Sequence, residues 1–185
     1  MHQNESVQSL SYRIALGGII ASLCLVCMFL TGIFPMFYLI LPMAASALIY
    51  IMALETNTYW GLLTYISVGL LSLFITPNKD AALVFLFFFG YYPLLRPKIE
   101  HTKWKPLAFL LRLALFNGAV LAFFWISVYV LGMKELLESL GDYGKYGGWI
   151  LLGMANIMFW CYDFSMGCFP LLYQRYLKPR ISPKH

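Results

Sequence analysis

Apolar sequence fills most of this chain and is broken near its middle by a concentrated basic stretch. Gly90 to Pro106 reads GYYPLLRPKIEHTKWKP and holds Arg96, Lys98, Lys103 and Lys105 against one acid, Glu100. Lys and Arg beside membrane spans are retained on the cytoplasmic side. The stretch therefore reads as the cytoplasmic loop that orients a polytopic membrane protein. Pro93, Pro97 and Pro106 are expected to interrupt any continuous helix within it.

Composition leaves little room for a water-soluble alternative. The chain is 61% hydrophobic and 11% charged, whereas a soluble domain carries about 25% charged residues. Polar side chains are too few to clothe an aqueous surface, so lipid is the expected solvent. The net charge of +5 does not point to nucleic acid, because the basic residues lie between apolar spans instead of along one amphipathic face. Membrane lipid with anionic headgroups, or an acidic partner at the membrane surface, is the expected counter-charge.

The hydropathy pattern predicts an all-α fold: an integral membrane bundle of six transmembrane helices, both termini cytoplasmic. It makes a single transmembrane domain over residues 1–185, with spans at about 12–32, 36–54, 59–76, 81–95, 107–131 and 149–173. The expected location is the cell membrane, as a multi-pass protein. Residues Met1 to Leu10 are polar and expected to be poorly ordered, and the first apolar segment reads as a retained span. Pro42 is expected to kink the second span. The fourth is short, roughly 22 Å against about 30 Å of hydrocarbon. Lys134, Glu135, Glu138, Asp142 and Lys145 make a net acidic outer loop, in which MKELLESL suits a short interfacial helix. This topology puts ten Lys and Arg inside (Arg13, Arg96, Lys98, Lys103, Lys105, Arg112, Arg175, Lys178, Arg180 and Lys184) and three outside (Lys79, Lys134 and Lys145). The bias obeys the positive-inside rule.

Few residues carry chemistry. Asp163 lies deep in the sixth span, where a carboxylate costs at least about 2.5–3.5 kcal/mol and calls for a partner or a proton. Arg112, one and a half turns into the fifth span, is the natural partner. Asn117 lies at a depth similar to Asp163, and Asn156, seven residues before Asp163, shares its helix face. These four form an expected intramembrane polar cluster, read as a clamp between helices or as a proton or substrate relay. On the outer side Asn78, Lys79, Asp80, Tyr146 and Trp149, with Asn156 below them, are the candidate substrate-binding residues. Aromatics at that level also suit an interfacial belt. Cys24, Cys27, Cys161 and Cys168 all lie in apolar runs, so the CxxC at Cys24 to Cys27 reads as packing and not as a metal or redox site. His2, His101 and His185 have no metal-ligand spacing. No catalytic residue, metal or cofactor is expected, and the chain does not read as an enzyme.

The first span carries a resemblance. Arg13 leads into IALGGIIAS, where Gly17 and Ala21, and Gly18 and Ser22, are spaced by four. Such small residues let another helix approach closely. This opening, at the head of six short helices in so short a chain, resembles the substrate-binding S components of energy-coupling factor (ECF) transporters. The resemblance implies a bacterial six-helix subunit that captures a small, vitamin-like solute from outside. Ala15, Gly17, Gly18, Ala21 and Ser22 would dock a transmembrane coupling subunit, and two ATPase subunits would drive uptake by toppling the S component in the membrane. The alternative is a structural or assembly protein that binds partner helices and no solute. A small autonomous transporter or channel is a third reading.

Overall fold

Across hydrocarbon a chain must satisfy its own backbone, and a helix does so within one segment. The computed structural model describes residues 2–102, 104–130, 132 and 146–177, which form helices and connecting turns with no strand. Among them, Leu10–Ile33, Thr58–Ile75, Lys79–Glu100 and Lys105–Tyr129 are long and apolar enough to cross a membrane. The protein is therefore all-α and of membrane type. The acidic loop at 133–145, the tail from Lys178 onward and Lys103 lie outside the described residues. The chain divides into two compact units, Met1–His101 and Thr102–His185.

The first unit holds α1 (His2–Ile33), α2 (Ile40–Glu55), α3 (Thr58–Ile75), α4 (Lys79–Val84) and α5 (Tyr92–Glu100). Helix α1 starts at His2, well before its apolar run begins at Leu10. Helix α2 starts at Ile40, four residues later than expected for the second span, because Pro35–Phe37 winds a 3₁₀ turn first. Pro42 thus falls in the first turn of α2, where its missing N–H has no intrahelical partner to lose and no kink is required. Asn57 caps α3 by accepting from the Trp60 amide at 3.1 Å, and Asn78 caps α4 by accepting from the Ala81 amide at 3.2 Å.

The fourth span differs most from expectation. It runs on from α4 through a π-turn, Phe85–Phe89, and the Gly90–Tyr91 turn into α5. The whole segment is 22 residues, roughly 33 Å at 1.5 Å per residue, which is enough to cross. The first half of the basic stretch is therefore helix. Pro93 opens α5, where its fixed φ suits helix and no amide is needed, while Pro97 sits inside it. Arg96 and Glu100, four apart on this helix, form an ion pair at 2.8 Å.

Gly90 owes its place to packing. Its φ of −68° is open to any residue. A Cβ there would lie 2.3 Å from Cδ2 of Tyr65, so only glycine lets that ring come so close to the turn. The Gly90 amide bonds Phe85 O at 2.8 Å in the π-register. That leaves the Leu86 carbonyl without its α-helical donor, and the Tyr65 hydroxyl donates to it at 2.7 Å. Gly69, one turn along α3 from Tyr65, makes room in the same way for Leu86. Met28, Ile49, Met52, Val68, Phe85, Phe89 and Tyr92 of this unit are fully buried.

The second unit pairs α6 (Lys105–Trp125) with α7 (Gly147–Leu172), each running on into a π-turn, at Ile126–Val130 and Tyr173–Leu177. The helices run antiparallel. Phe116 stacks on Phe159 and Phe109 on Trp160, both at 4.6 Å between ring centroids. Much of their remaining apolar surface, including Leu110, Leu121, Trp125, Met154, Ile157 and Phe164, is exposed.

Gly90→Val is expected to lower the unfolding midpoint in detergent, at the cost of about 1–3 kcal/mol typical of overpacking. Tyr65→Phe should cost about 1 kcal/mol through the lost hydrogen bond. Adding Tyr65→Ala to Gly90→Val should cost less than the two separate losses combined, because it removes the ring the valine meets. Thermal unfolding of the four variants decides this, and wild-type stability of Gly90→Val would refute the contact.

Candidate functional site

The chemistry-bearing residues of the second unit lie on the facing sides of α6 and α7. Arg112 Nη1 donates to Asp163 Oδ2 at 2.6 Å, and Arg112 Nε lies 3.4 Å from Ala108 O one turn back. The pair is well buried: the Asp163 side chain is 6% exposed and that of Arg112 17%. Removed from water, each charge is tolerated because the other neutralises it. Away from this pair along both helices, Asn117 and Asn156 form a reciprocal amide pair. Asn117 Nδ2 donates to Asn156 Oδ1 at 3.3 Å, and Asn156 Nδ2 to Asn117 Oδ1 at 3.1 Å. Each Nδ2 also donates to its own helix, at Leu113 O and Leu152 O. An amide group has two N–H donors, so both side chains use all of theirs. The four residues therefore tie α6 to α7 at two levels. This is the geometry of a clamp between two helices: the amide donors are all used, while each Oδ1 keeps a second lone pair.

Of the residues expected to meet a solute, Asn78, Lys79 and Asn156 make local hydrogen bonds. Asn78 is the cap of α4. Lys79 Nζ donates to Leu73 O at 2.7 Å and Thr76 O at 3.0 Å, closing the C-terminal carbonyls of α3. Asp80 sits in the first turn of α4, where the helix dipole favours an acid. Asn156 is held by Asn117. Tyr146 and Trp149, at the start of α7, are strongly exposed, Trp149 at 75%. They belong to a different unit from Asn78–Asp80.

The small residues of α1 divide between two faces. Gly17 faces inward: a Cβ there would lie 3.4 Å from Met52 Cε and 3.7 Å from Thr64 Oγ1. Ile20, Cys24, Met28 and Thr31 continue that buried side, and Ala21 is half-buried. Ala15, Gly18 and Ser22 are exposed, and nothing lies within 4 Å of a Cβ at Gly18. Ser22 Oγ bonds back to Gly18 O at 2.8 Å, so its polarity is hidden. Exposed Ile19, Val26, Phe29 and Ile33 extend this outer stripe along the helix. Helical spacing of three and four links these residues. The face available to a partner is thus Ala15–Gly18–Ser22, and Gly17 serves the interior.

Sequence reading missed three local features. The Lys79 cap was signalled by a Lys just past the end of an apolar helix, and the Arg96–Glu100 pair by i,i+4 charges. The Tyr65–Leu86–Gly90 contact joins α3 to the π-turn across 21 residues and left no local signal. Among the described residues no three His, Cys, Asp or Glu side chains group to hold a metal. Cys24 is buried, with Sγ 3.4 Å from Ala45 O.

Asp163→Leu with Arg112 retained is expected to destabilise the protein by about 3–5 kcal/mol, because it strands a buried charge. Asp163→Asn should cost less, and Arg112→Met together with Asp163→Leu should recover most of the loss. Thermal unfolding in detergent checks the order. Equal tolerance of Asp163→Asn and Asp163→Leu would remove the clamp.

No family model matches this chain, and no characterised protein or solved structure proves significantly similar to it.

Proposed function

We propose that the chain is a six-span membrane subunit, both termini cytoplasmic, that works by docking a partner through α1 in the manner of an ECF-type S component. Its task is to capture a small, vitamin-like solute from outside. A transmembrane coupling subunit binds the outer stripe of α1, and partner ATPase subunits supply the energy. The observation that carries this reading is the open face of α1. An apolar run of 24 residues presents Ala15, Gly18 and Ser22 outward, with bare backbone at Gly18. Helices in lipid associate by close packing, and small residues permit it. The excess of Lys and Arg on the assigned cytoplasmic side supports the orientation.

A second reading has its own support. Asn78 and Lys79 are engaged in helix caps, and Asn117 and Asn156 in each other, which leaves these side chains few hydrogen bonds for a solute. The same docking face then serves a structural or assembly protein that binds partner helices and no solute.

Affinity purification from native membranes in mild detergent, with mass spectrometry of proteins and small molecules, separates the two. A coupling subunit with ATPases, or a bound solute, is expected. Cell-envelope assembly proteins without a small molecule would establish the second reading instead. Gly18→Leu should cut partner recovery about tenfold or more with the unfolding midpoint unchanged. Gly17→Leu should lower the midpoint, since it crowds Met52 and Thr64. Full partner recovery with Gly18→Leu would refute docking through this face.

A further inference from the structure

At the end of the first unit where α2 finishes and α3 begins, a groove of about 230 Å³ opens against α5. Tyr50, Ala53 and Leu54 of α2, Thr58 of α3 and Pro93, Leu94, Pro97 and Lys98 of α5 line it. Its volume is below the roughly 300–1,000 Å³ of small-molecule pockets, so it fits a headgroup-sized fragment. Its chemistry is graded. Alanine, leucine and proline make an apolar wall, while a phenol, a hydroxyl and an ammonium group supply polarity.

Two features select the occupant. The first is charge. Arg96, nearby on α5, is engaged by Glu100 at 2.8 Å, and Glu55 follows Leu54 without lining the groove. Lys98 is the only formal charge on the groove wall, so the groove is cationic. The second is the backbone of α5. Pro97 has no amide hydrogen, so the Pro93 carbonyl loses its donor four residues on, and both prolines line the groove. This puts a carbonyl without its α-helical donor on a residue of the groove lining. The complement is an anion that also carries a hydroxyl, with an apolar portion to lie along the wall.

We infer that this groove is a binding site for an anionic phospholipid with a hydroxyl-bearing headgroup, of the phosphatidylglycerol type. Lys98 holds the phosphate, Thr58 and the Pro93 carbonyl take the headgroup hydroxyls, and an acyl chain leaves along Leu54 and Leu94. Basic pockets between helices at a membrane surface recognise anionic headgroups in this way.

Native mass spectrometry of the full-length protein from mixed micelles of phosphatidylglycerol and phosphatidylcholine tests the site. Wild type should retain phosphatidylglycerol in preference, and Lys98→Gln should reduce that preference about fivefold, as expected for one basic contact near the surface. Thr58→Trp keeps the lysine but fills the groove, and should also abolish retention. Arg13→Gln, a basic change in the same unit outside the groove, should leave it unchanged. Equal losses from Lys98→Gln and Arg13→Gln would overturn the site in favour of diffuse charge. Retention by Thr58→Trp would place the lipid elsewhere. Displacement by millimolar inorganic phosphate would make free phosphate the ligand and overturn the lipid assignment.

Discussion

In hydrocarbon a polar atom cannot turn to water, and this requirement governs nearly every polar contact in the protein. Four buried hydroxyls of the first unit bend back onto their own helices. Thr31 bonds Met28 O, Ser46 bonds Met43 O, Thr64 bonds Trp60 O and Ser72 bonds Gly69 O. Each of these bonds stays within its own helix, so it adds nothing to the contact between helices. The same requirement explains Tyr65. The π-turn withdraws a donor from the Leu86 carbonyl, and the nearest phenol replaces it. Among the described residues two buried hydroxyls, Thr76 Oγ1 and Ser127 Oγ, have no partner, and both lie at the ends of α-helices.

The two units meet the requirement differently. The first seats large side chains over small ones, Tyr65 over Gly90 and Leu86 over Gly69. Among its described residues the second joins two long helices through stacked rings, an ion pair and an amide pair. Polar contacts supply the specificity there. Slipping α7 by one turn would part Asp163 from Arg112 and Asn156 from Asn117 together.

How much of this can be read in advance depends on how local each cause is. Helical character follows from apolar run length, and the depths of Arg112 and Asp163 can be compared by counting residues from the start of each span. Asn156 and Asp163 share a face by spacing alone. The extent of the fourth helix cannot be read so simply, because Pro93 and Pro97 look like breakers until one knows that the turn at Gly90–Tyr91 makes Pro93 a first-turn residue. Which of two adjacent glycines on α1 faces inward depends on Met52 and Thr64, residues on other helices. Asn78 and Lys79 look like a polar mouth because their caps are made to backbone atoms, which composition does not reveal.

The π-turn at Phe85–Phe89 has a geometric meaning beyond its hydrogen bonds. A π-turn accommodates one residue more than the α-helix it interrupts. One residue is about 100° of helical rotation. Everything beyond the turn is thus indexed about a quarter-revolution away from where an uninterrupted helix would aim it. The phenylalanine run works as a phase shifter, and with the Gly90–Tyr91 turn that follows it helps set the direction in which α5 presents its prolines and its basic side chains.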